Sequence, residues 1–239
     1  EFVTKRGLTK DAVPPHIVQP TLLYVDSKTH TLTPDCVRAM PCGVVVWVVE
    51  YYPSTYFDIA SMTAFSRRIV VVANDITFQS GSFAVPEDVA FKLASDYARS
   101  ERIPFVYLSA NSGARLGLCT QVKEKFRVAI QGDSFEYLYL TEADYLALTE
   151  AKIVINTERL QIDGDIRYRI VDVVGAPHEY LGVENLQGSA LIAGHMSLNY
   201  ATIPTISVAT GRTVGIGAYL VRLGRRVVQT QNAPIILTG

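Results

Sequence analysis

Three glycine-rich segments, each set between apolar runs, most constrain what this chain can fold into. They are residues 79–83 (QSGSF), 111–117 (NSGARLG) and 210–219 (TGRTVGIGAY). Glycine allows a positive φ and a close approach of the backbone to a ligand. Such turns can direct main-chain N–H groups at one point, and a protein can bind an oxyanion or a phosphate in this way without a charged side chain. The pattern therefore predicts a site built largely from backbone.

Composition narrows the function classes. The chain has 239 residues, of which 49% are hydrophobic, and its formal net charge is −1. It can therefore bury a sizeable core, and it has the length of one large domain or two small ones. The near-neutral charge argues against nucleic-acid binding. No apolar run reaches the ~18 residues of a membrane span, so no membrane span is expected.

Cysteine and histidine usage indicates neither a disulfide framework nor a metal site. The three cysteines include no CxxC pair, and the four histidines are isolated, with no HExxH motif: Cys36, Cys42, Cys119, His16, His30, His178 and His195. Such a sparse set is typical of a reducing compartment. We expect no metal in this domain.

Hydrophobic periodicity predicts an α/β fold. Continuous apolar runs at 44–51, 68–74 and 105–110 predict strands, and 87–100 has helical spacing after Pro86. A strand, a helix and a strand in succession predict a parallel crossover. Further predicted strands are 21–25, 137–140, 153–160, 168–174, 205–209, 226–229 and 235–237. Further predicted helices are 121–126, 141–148 (capped by Thr141 with Asp144), 189–199 and 216–223, and 53–66 is predicted to be a surface loop.

The second and third glycine-rich segments each follow a predicted strand and precede a predicted helix. N–H groups at such a turn, with the positive end of a helix dipole, would stabilise an enolate or thioester oxygen. The alternative is an ordinary strand-to-helix connection. The third segment lacks the Lys-Ser/Thr pair of a P-loop and matches no GxGxxG fingerprint. Together the two segments predict paired oxyanion sites.

Side-chain catalysis is less well supported. Ser112 lies outside any GxSxG motif, and His195 is its only candidate partner by residue type. Asp75, Glu87 and Asp88 could act as general acids or bases, but residues of this kind more often cap strands and helices. We favour the capping interpretation.

Several ordered motifs resemble the carboxyltransferase domain of multidomain eukaryotic acetyl-CoA carboxylase. They are ANDITF (73–78) with GSF (81–83), SANSGAR (109–115), YLYLT (137–141), LGVENL (181–186), VGIGAYLVRLG (214–224) and PIILTG (234–239). The resemblance extends from about residue 68 to residue 239, and CGVVVW (42–47) is the main match upstream.

The resemblance implies a crotonase-like (ClpP/crotonase) superhelix of ββα units. Residues 1–66 would form an N-terminal extension with the first strands. Residues 67–239 would form the N-terminal subdomain of the carboxyltransferase, incomplete at its C-terminus. The implied reaction transfers a carboxyl group from carboxybiotin to acetyl-CoA and forms malonyl-CoA, the first committed step of fatty-acid synthesis, within an ATP-binding ligase.

The resemblance also implies partners and a location. The substrates would be acetyl-CoA and a biotin carried by a carboxyl carrier domain, with the biotin carboxylase domain in the same polypeptide. A homodimer would place the C-terminal carboxyltransferase half of one subunit against the N-terminal half of the other, so this chain alone would be inactive. The expected location is the cytoplasm, or alternatively a plastid or apicoplast.

Transferred by motif, the backbone N–H groups of Ala114, Gly215 and Ile216 would be the oxyanion donors. The implied substrate-binding residues are Arg212, Tyr219, Gly113, Leu186 and Gly217, and Leu186 matches a position where family members bind herbicide-type inhibitors. Two alternatives remain open. One is a crotonase-like enzyme of another reaction, which would need a committed carboxylate. The other is a non-catalytic acyl-CoA-binding scaffold, since Ala84 and Gln187 depart from the family pattern.

Overall fold

The computed structural model describes residues 18–51, 57–58, 63–64, 66–162, 164–175 and 186–237. These residues form a mixed α/β fold with an eight-stranded sheet, a four-stranded sheet and a two-stranded ribbon. The α/β class predicted from the apolar periodicity is confirmed.

The strands and helices follow one another as the periodicity predicts over most of the chain. The strands are β1 (Val18–Val25), β2 (Leu32–Thr33), β3 (Val44–Tyr51), β4 (Phe57–Asp58), β5 (Thr63–Ala64), β6 (Arg67–Asn74), β7 (Phe105–Asn111), β8 (Arg127–Gln131), β9 (Ser134–Thr141), β10 (Val154–Ile162), β11 (Asp165–Gly175), β12 (Thr205–Val214), β13 (Arg226–Gln229) and β14 (Ile235–Ile236). The α-helices are α1 (Val85–Ser100), α2 (Thr120–Lys123), α3 (Glu142–Glu150), α4 (Leu186–Thr202) and α5 (Ile216–Arg222). A 3₁₀ turn spans Gln79–Gly81.

The large sheet has the order β13-β12-β7-β6-β3-β1-β2, and β14 pairs with the end of β12. Strands β6, β7, β12 and β13 run parallel, whereas β1 and β3 are antiparallel additions at one side. The β6–α1–β7 connection is the predicted parallel crossover. Because parallel strands end at the same edge of the sheet, the loops after β7 and β12 are neighbours.

The main core lies between this sheet and helices α1 and α4, which pack against each other. Phe91 of α1 is fully buried and makes edge-on contacts with Phe105 and Tyr107 of β7, at ring-centroid distances of 5.4 and 5.5 Å. Aromatic pairs of this geometry add about 1 kcal/mol each beyond the area they bury. The core therefore holds β7, and with it the loop that follows β7.

A second core lies under the four-stranded sheet, whose order is β10-β11-β9-β8. Its buried residues come from this sheet, from helices α2 and α3 and from the segments beside them: Cys119, Val122, Leu140, Leu148, Ile153 and Val173. Thr141 caps α3 as predicted, since its hydroxyl oxygen accepts from the Asp144 N–H at 3.2 Å.

The structure corrects three local predictions and adds a strand that the periodicity does not predict. Strand β8 was not predicted, because only Ala129 of its five residues is buried. The predicted surface loop at 53–66 contains β4 and β5. Residues 210–214 continue β12 instead of forming a turn, and the positive φ occurs at Gly215. The first helix after the 111–117 segment begins at Thr120, so Ala114 is not at the N-terminus of that helix as predicted.

Candidate functional site

The loops after β7 and β12 meet at the edge of the large sheet. Gly113 and Gly215 both have left-handed backbone, with φ of +86° and +55°. A Cβ at Gly113 would lie 3.1 Å from the carbonyl oxygen of Val214 and 3.8 Å from the Cα of Gly215. Glycine at these positions therefore lets the two loops pack backbone to backbone.

The loops form the floor of an open cavity of about 520 Å³. Its lining comes from the two loops, from helices α4 and α5, and from the residue after β14: Ser112, Gly113, Ala114, Leu116, Ser189, Val214, Gly215, Ile216, Tyr219 and Leu237. The structure thus brings together the predicted site residues Gly113, Ala114, Gly215, Ile216 and Tyr219.

Among the predicted site residues in this lining, two have open backbone donors. Phe83 pairs with Ala114 in a parallel bridge, in which the Phe83 N–H donates to Gly113 O at 2.8 Å and the Arg115 N–H donates to Phe83 O at 2.7 Å. The bridge uses the carbonyl oxygen of Gly113 and the N–H of Arg115, on either side of Ala114. The Ala114 N–H takes no part in it. The Ile216 N–H is at the first position of α5. Within the described ranges, neither the Ala114 N–H nor the Ile216 N–H donates a hydrogen bond to another group of the protein.

Gly215 does not supply a third open donor. Its N–H donates to the carbonyl oxygen of Ile236 at 2.8 Å. The reason is the pairing of β14 with the end of β12, which matches Thr213 with Ile235 and Val214 with Ile236 and continues to Gly215. The prediction that the Gly215 N–H is an oxyanion donor is therefore wrong.

Asn111 lies directly beneath both loops and is 4% exposed. Its Oδ1 accepts from the Gly113 N–H at 3.0 Å and from the Val214 N–H at 3.5 Å. Its Nδ2 lies 2.9 Å from Ser109 Oγ and 3.2 Å from Tyr107 Oη. The sequence includes Asn111 in a glycine-rich motif, but no local pattern indicates that its side chain reaches the second loop.

The polar groups around Asn111 form one buried network. The Tyr107 hydroxyl donates to Asn74 Oδ1 at 2.8 Å, and Ser109 Oγ and Thr213 Oγ1 are 2.9 Å apart. Burial raises the pKa of Tyr107, although hydrogen bonds from its neighbours act in the opposite direction. The phenol therefore stays neutral and keeps its hydrogen-bonding role.

The remaining predicted binding residues lie elsewhere. Gly217 is buried behind the floor, where a Cβ would overlap the side-chain amide of Asn111. Arg212 is exposed on β12. Neither Arg212 nor Gly217 lines the cavity. Leu186 begins α4, and the prediction for its side chain lies outside what the structure describes.

The candidate acids and bases act as caps and links. Asp75 accepts from the Thr77 N–H at 2.9 Å and from the Thr77 hydroxyl at 2.6 Å, and these bonds lower the pKa of Asp75. Glu87 is fully buried at the start of α1 and accepts from the Ala84 N–H at 2.9 Å. Neither residue lines the cavity, which supports the capping interpretation.

His195 does not form a dyad with Ser112. It lies on α4, where its Nδ1 is 2.9 Å from Arg99 Nη2 and 3.3 Å from Asp96 Oδ1 of helix α1. His195 is also absent from the cavity lining that contains Ser112. In the part of the chain that the structure describes, no three His, Cys, Asp or Glu residues are grouped as metal ligands. No helix in that part is both long and apolar enough to cross a membrane.

The family model for the carboxyl transferase domain matches residues 63–239, which include both loops of the cavity floor. The chain belongs to the carboxyl transferase domain family. The resemblance drawn from the motifs is thereby confirmed. Both open donors lie within the matched segment, and so does the Asn111 network.

Three curated relatives are acetyl-CoA carboxylases. The chain is 46% identical over 202 residues to "Acetyl-CoA carboxylase" of Dictyostelium discoideum, 48% over 203 residues to "Acetyl-CoA carboxylase 2" of Oryza sativa subsp. japonica, and 47% over 180 residues to "Acetyl-CoA carboxylase" of Saccharomyces cerevisiae. The matches cover 82%, 82% and 72% of this chain. The chain spans about 8% of the length of each of these relatives.

Proposed function

We propose that this chain contributes the donor loops of a carboxyltransferase that moves a carboxyl group from carboxybiotin to the methyl carbon of acetyl-CoA, forming malonyl-CoA. The observation that carries the proposal is the pair of open N–H groups, of Ala114 and Ile216, in the lining of one cavity. Membership of the carboxyl transferase family and the names of the relatives support the choice of reaction.

The two N–H groups would act on the thioester oxygen of acetyl-CoA. When the methyl carbon loses a proton, negative charge develops on that oxygen, and donors already held in place stabilise it without reorganising. Carboxybiotin would release its carboxyl group as CO2, and its ring nitrogen would then accept the methyl proton. The enolate carbon would form the new C–C bond to CO2. The chain's task is then to orient the acyl group and to stabilise charge, and neither task needs a side-chain base.

The lining of the cavity supports this reaction over a hydratase or thioesterase. Those reactions need a carboxylate or a histidine placed at the substrate. Among the described lining residues none is Asp, Glu or His, and the polar side chains are Ser112, Ser189 and Tyr219. A reaction whose second substrate supplies the base fits this lining better.

We further propose that a partner surface completes the cavity. Leu116, Tyr219 and Leu237 line it and are 70%, 51% and 56% exposed. Apolar side chains exposed around a polar floor are typical of a surface that another surface covers. The proposed cover is the C-terminal carboxyltransferase half of a second subunit in a homodimer. The biotin carboxyl carrier and biotin carboxylase domains belong to the same proposed polypeptide, in the cytoplasm.

We also propose that this chain adopts a crotonase-like superhelix. Parallel strands β6, β7, β12 and β13 with helices between them support a crotonase-like superhelix. We place the division between the N-terminal extension and the carboxyltransferase subdomain at residues 66 and 67. Strands β1 and β3 pair into the same sheet as β6, so the extension contributes its strands to the subdomain.

Replacing Ile216 by proline tests the donor role. Proline lacks the N–H, and it is tolerated at the first position of a helix, so Ile216→Pro removes the donor with little damage to α5. The matched control is Ile216→Ala, which loses the same side chain and keeps the N–H. In the full-length protein we expect kcat for malonyl-CoA formation to be about 100-fold lower for Ile216→Pro than for Ile216→Ala.

Equal kcat values for the proline and alanine variants would reject Ile216 as a donor. A full-length protein that binds acetyl-CoA in titration calorimetry but forms no malonyl-CoA would favour the scaffold alternative. Formation of a hydrated or hydrolysed acyl-CoA product in place of malonyl-CoA would favour another crotonase-like reaction.

A further inference from the structure

We propose that Asn111 is the positioning residue that fixes the two donor loops relative to each other. The inference rests on the proposed function, because it concerns the geometry of the Ala114 and Ile216 donors. Asn111 does not line the cavity, so its effect on the reaction would pass through Gly113 and Val214. Gly113 directly precedes Ala114, and Val214 lies two residues before Ile216.

The orientation of the Asn111 amide follows from its partners. The N–H groups of Gly113 and Val214 can only donate, so the amide oxygen must face them. The amide nitrogen then faces Ser109 Oγ, Tyr107 Oη and Asn74 Oδ1, at 2.9, 3.2 and 3.2 Å. A flipped amide would place its NH₂ group against two N–H donors. One oxygen therefore accepts from both loops.

The network beneath Asn111 holds this amide in place. Asn74 is at the end of β6, its Nδ2 donates to Gly81 O at 3.1 Å, and its Oδ1 accepts from the Tyr107 hydroxyl. Ser109 bonds on its other side to Thr213, one residue before Val214. Strands β6, β7 and β12 are thus joined under the loops through buried polar groups. Fully satisfied networks of this kind favour a single arrangement of their members.

Gly217 provides the space that this arrangement needs. A Cβ at Gly217 would overlap the side-chain amide of Asn111, so the first turn of α5 can lie on Asn111 only if residue 217 has no side chain. The amide therefore contacts the second loop in two ways, by a hydrogen bond to Val214 and by packing under α5. This close fit makes Asn111 and Gly217 an energetically coupled pair.

A double-mutant cycle in the full-length protein tests the proposal. Asn111→Ala removes the shared acceptor and leaves a void, so we expect a lower Tm and a fall in kcat for malonyl-CoA formation of about 100-fold, as a displacement of about 1 Å at the reacting groups can produce. We expect KM for acetyl-CoA to change less than about threefold, because the residues that line the cavity remain. Gly217→Ala alone must displace the amide, and we expect it to lower both kcat and Tm.

The double variant Asn111→Ala/Gly217→Ala separates positioning from stability. The methyl group added at position 217 enters space that the amide has vacated, so we expect much of the lost Tm to return while kcat stays low. Recovery of kcat together with Tm would overturn the proposal, since Asn111 would then act only as a packing element. An unchanged kcat in Asn111→Ala would overturn it as well.

A measurement without turnover distinguishes failure of this inference from failure of the proposed function. Hydrogen exchange of the 112–116 and 214–216 segments reports on the loops whether or not malonyl-CoA forms. We expect Asn111→Ala to lose protection at the Gly113 and Val214 N–H groups in both segments. Unchanged protection would overturn the role of Asn111. A wild-type protein that shows the protection but no carboxyl transfer would refute the proposed function and leave the link between the loops standing.

Discussion

Glu87 is a buried carboxylate that links three parts of the fold. Its Oε2 accepts from the Ala84 N–H at 2.9 Å, and its Oε1 accepts from the Gly43 N–H at 2.8 Å. The same Oε1 lies 3.1 Å from Arg115 Nη2. One side chain thus holds the start of α1, the residue before β3 and the loop that contains Ala114.

At the residue scale we expect Glu87→Gln to destabilise the chain by about 3 kcal/mol. The substitution takes away the buried negative partner of Arg115, and it turns the new NH₂ group towards one of the two backbone N–H groups that Glu87 accepts from. Urea unfolding measures this loss. The control is Glu101→Gln, which breaks the exposed ion pair with Arg68 and should cost less than about 1 kcal/mol. Equal losses in the two variants would contradict the assigned role of Glu87.

Glu87 also shows which contacts can be predicted from the sequence and which cannot. Its residue type, next to Pro86 at a predicted helix start, favours a capping role, and the bond from the Ala84 N–H confirms this role. Its bond to Gly43 spans 44 residues, and no local pattern indicates a contact at that separation. The same holds for Asn111, whose bond to the Val214 N–H spans 103 residues.

At the element scale, α3 depends on Thr141, the residue that caps its N-terminus. The hydroxyl of Thr141 accepts from the Asp144 N–H and donates to the Asp144 carboxylate at 2.7 Å. The bond from the Thr141 hydroxyl, together with the positive charges of Lys125 and Arg127, lowers the pKa of Asp144, although burial opposes them. The carboxylate therefore stays ionised near the positive end of the helix, where negative charge is favourable.

Thr141→Ala should destabilise the chain by about 1 kcal/mol, because the first turn of α3 loses its cap. Thr149→Ala on the same helix is the matched control. The exposed hydroxyl of Thr149 donates to Tyr145 O at 2.8 Å inside the helix, and the loss of such a bond is nearly neutral. Thermal unfolding of the two variants measures the difference, and an effect of the same size in both would argue against the cap.

Strands with a continuous apolar run agree with the sequence prediction, whereas exposed or glycine-rich strands do not. Strands β3, β6 and β7 are continuous apolar runs buried in the large sheet, and their bounds agree with the prediction within one residue. Strand β8 is mostly exposed and has no comparable signal. The extension of β12 to Val214 depends on pairing with β14, so a glycine-rich segment that reads as a turn becomes a strand.

At the scale of the whole molecule, a partly buried cluster of polar side chains connects the two helices that cover the sheet. His195 and Asn199 of α4 face Asp96, Arg99 and Ser95 of α1. Burial lowers the pKa of His195; the carboxylate of Asp96 opposes this, and the positive charges of Arg99 and Lys92 add to it. The folded state therefore favours the neutral form of this imidazole more than the unfolded state does.

The stability of the chain should therefore fall in mild acid. Because the pKa of His195 is lower in the folded state than its unfolded value of about 6.5, the unfolded state binds more protons below that pH. The contribution of His195 is complete above about pH 6.5 and is lost as the pH falls towards the folded pKa. We expect His195→Gln to flatten the dependence of Tm on pH between about 7.5 and about 5.

The backbone packing of Gly113 against Val214 and Gly215 limits how the pocket can diversify. A side chain at Gly113 would press on the carbonyl oxygen of Val214, and any side chain at Gly215 would be strained by its φ of +55°, so neither position can easily be varied. The side chains of Leu116, Ser189, Tyr219 and Leu237 surround the cavity floor and set the width and polarity of the cavity above it. If the proposed function holds, substitutions at these four positions would change which acyl groups the cavity accepts and would leave the two backbone loops unchanged.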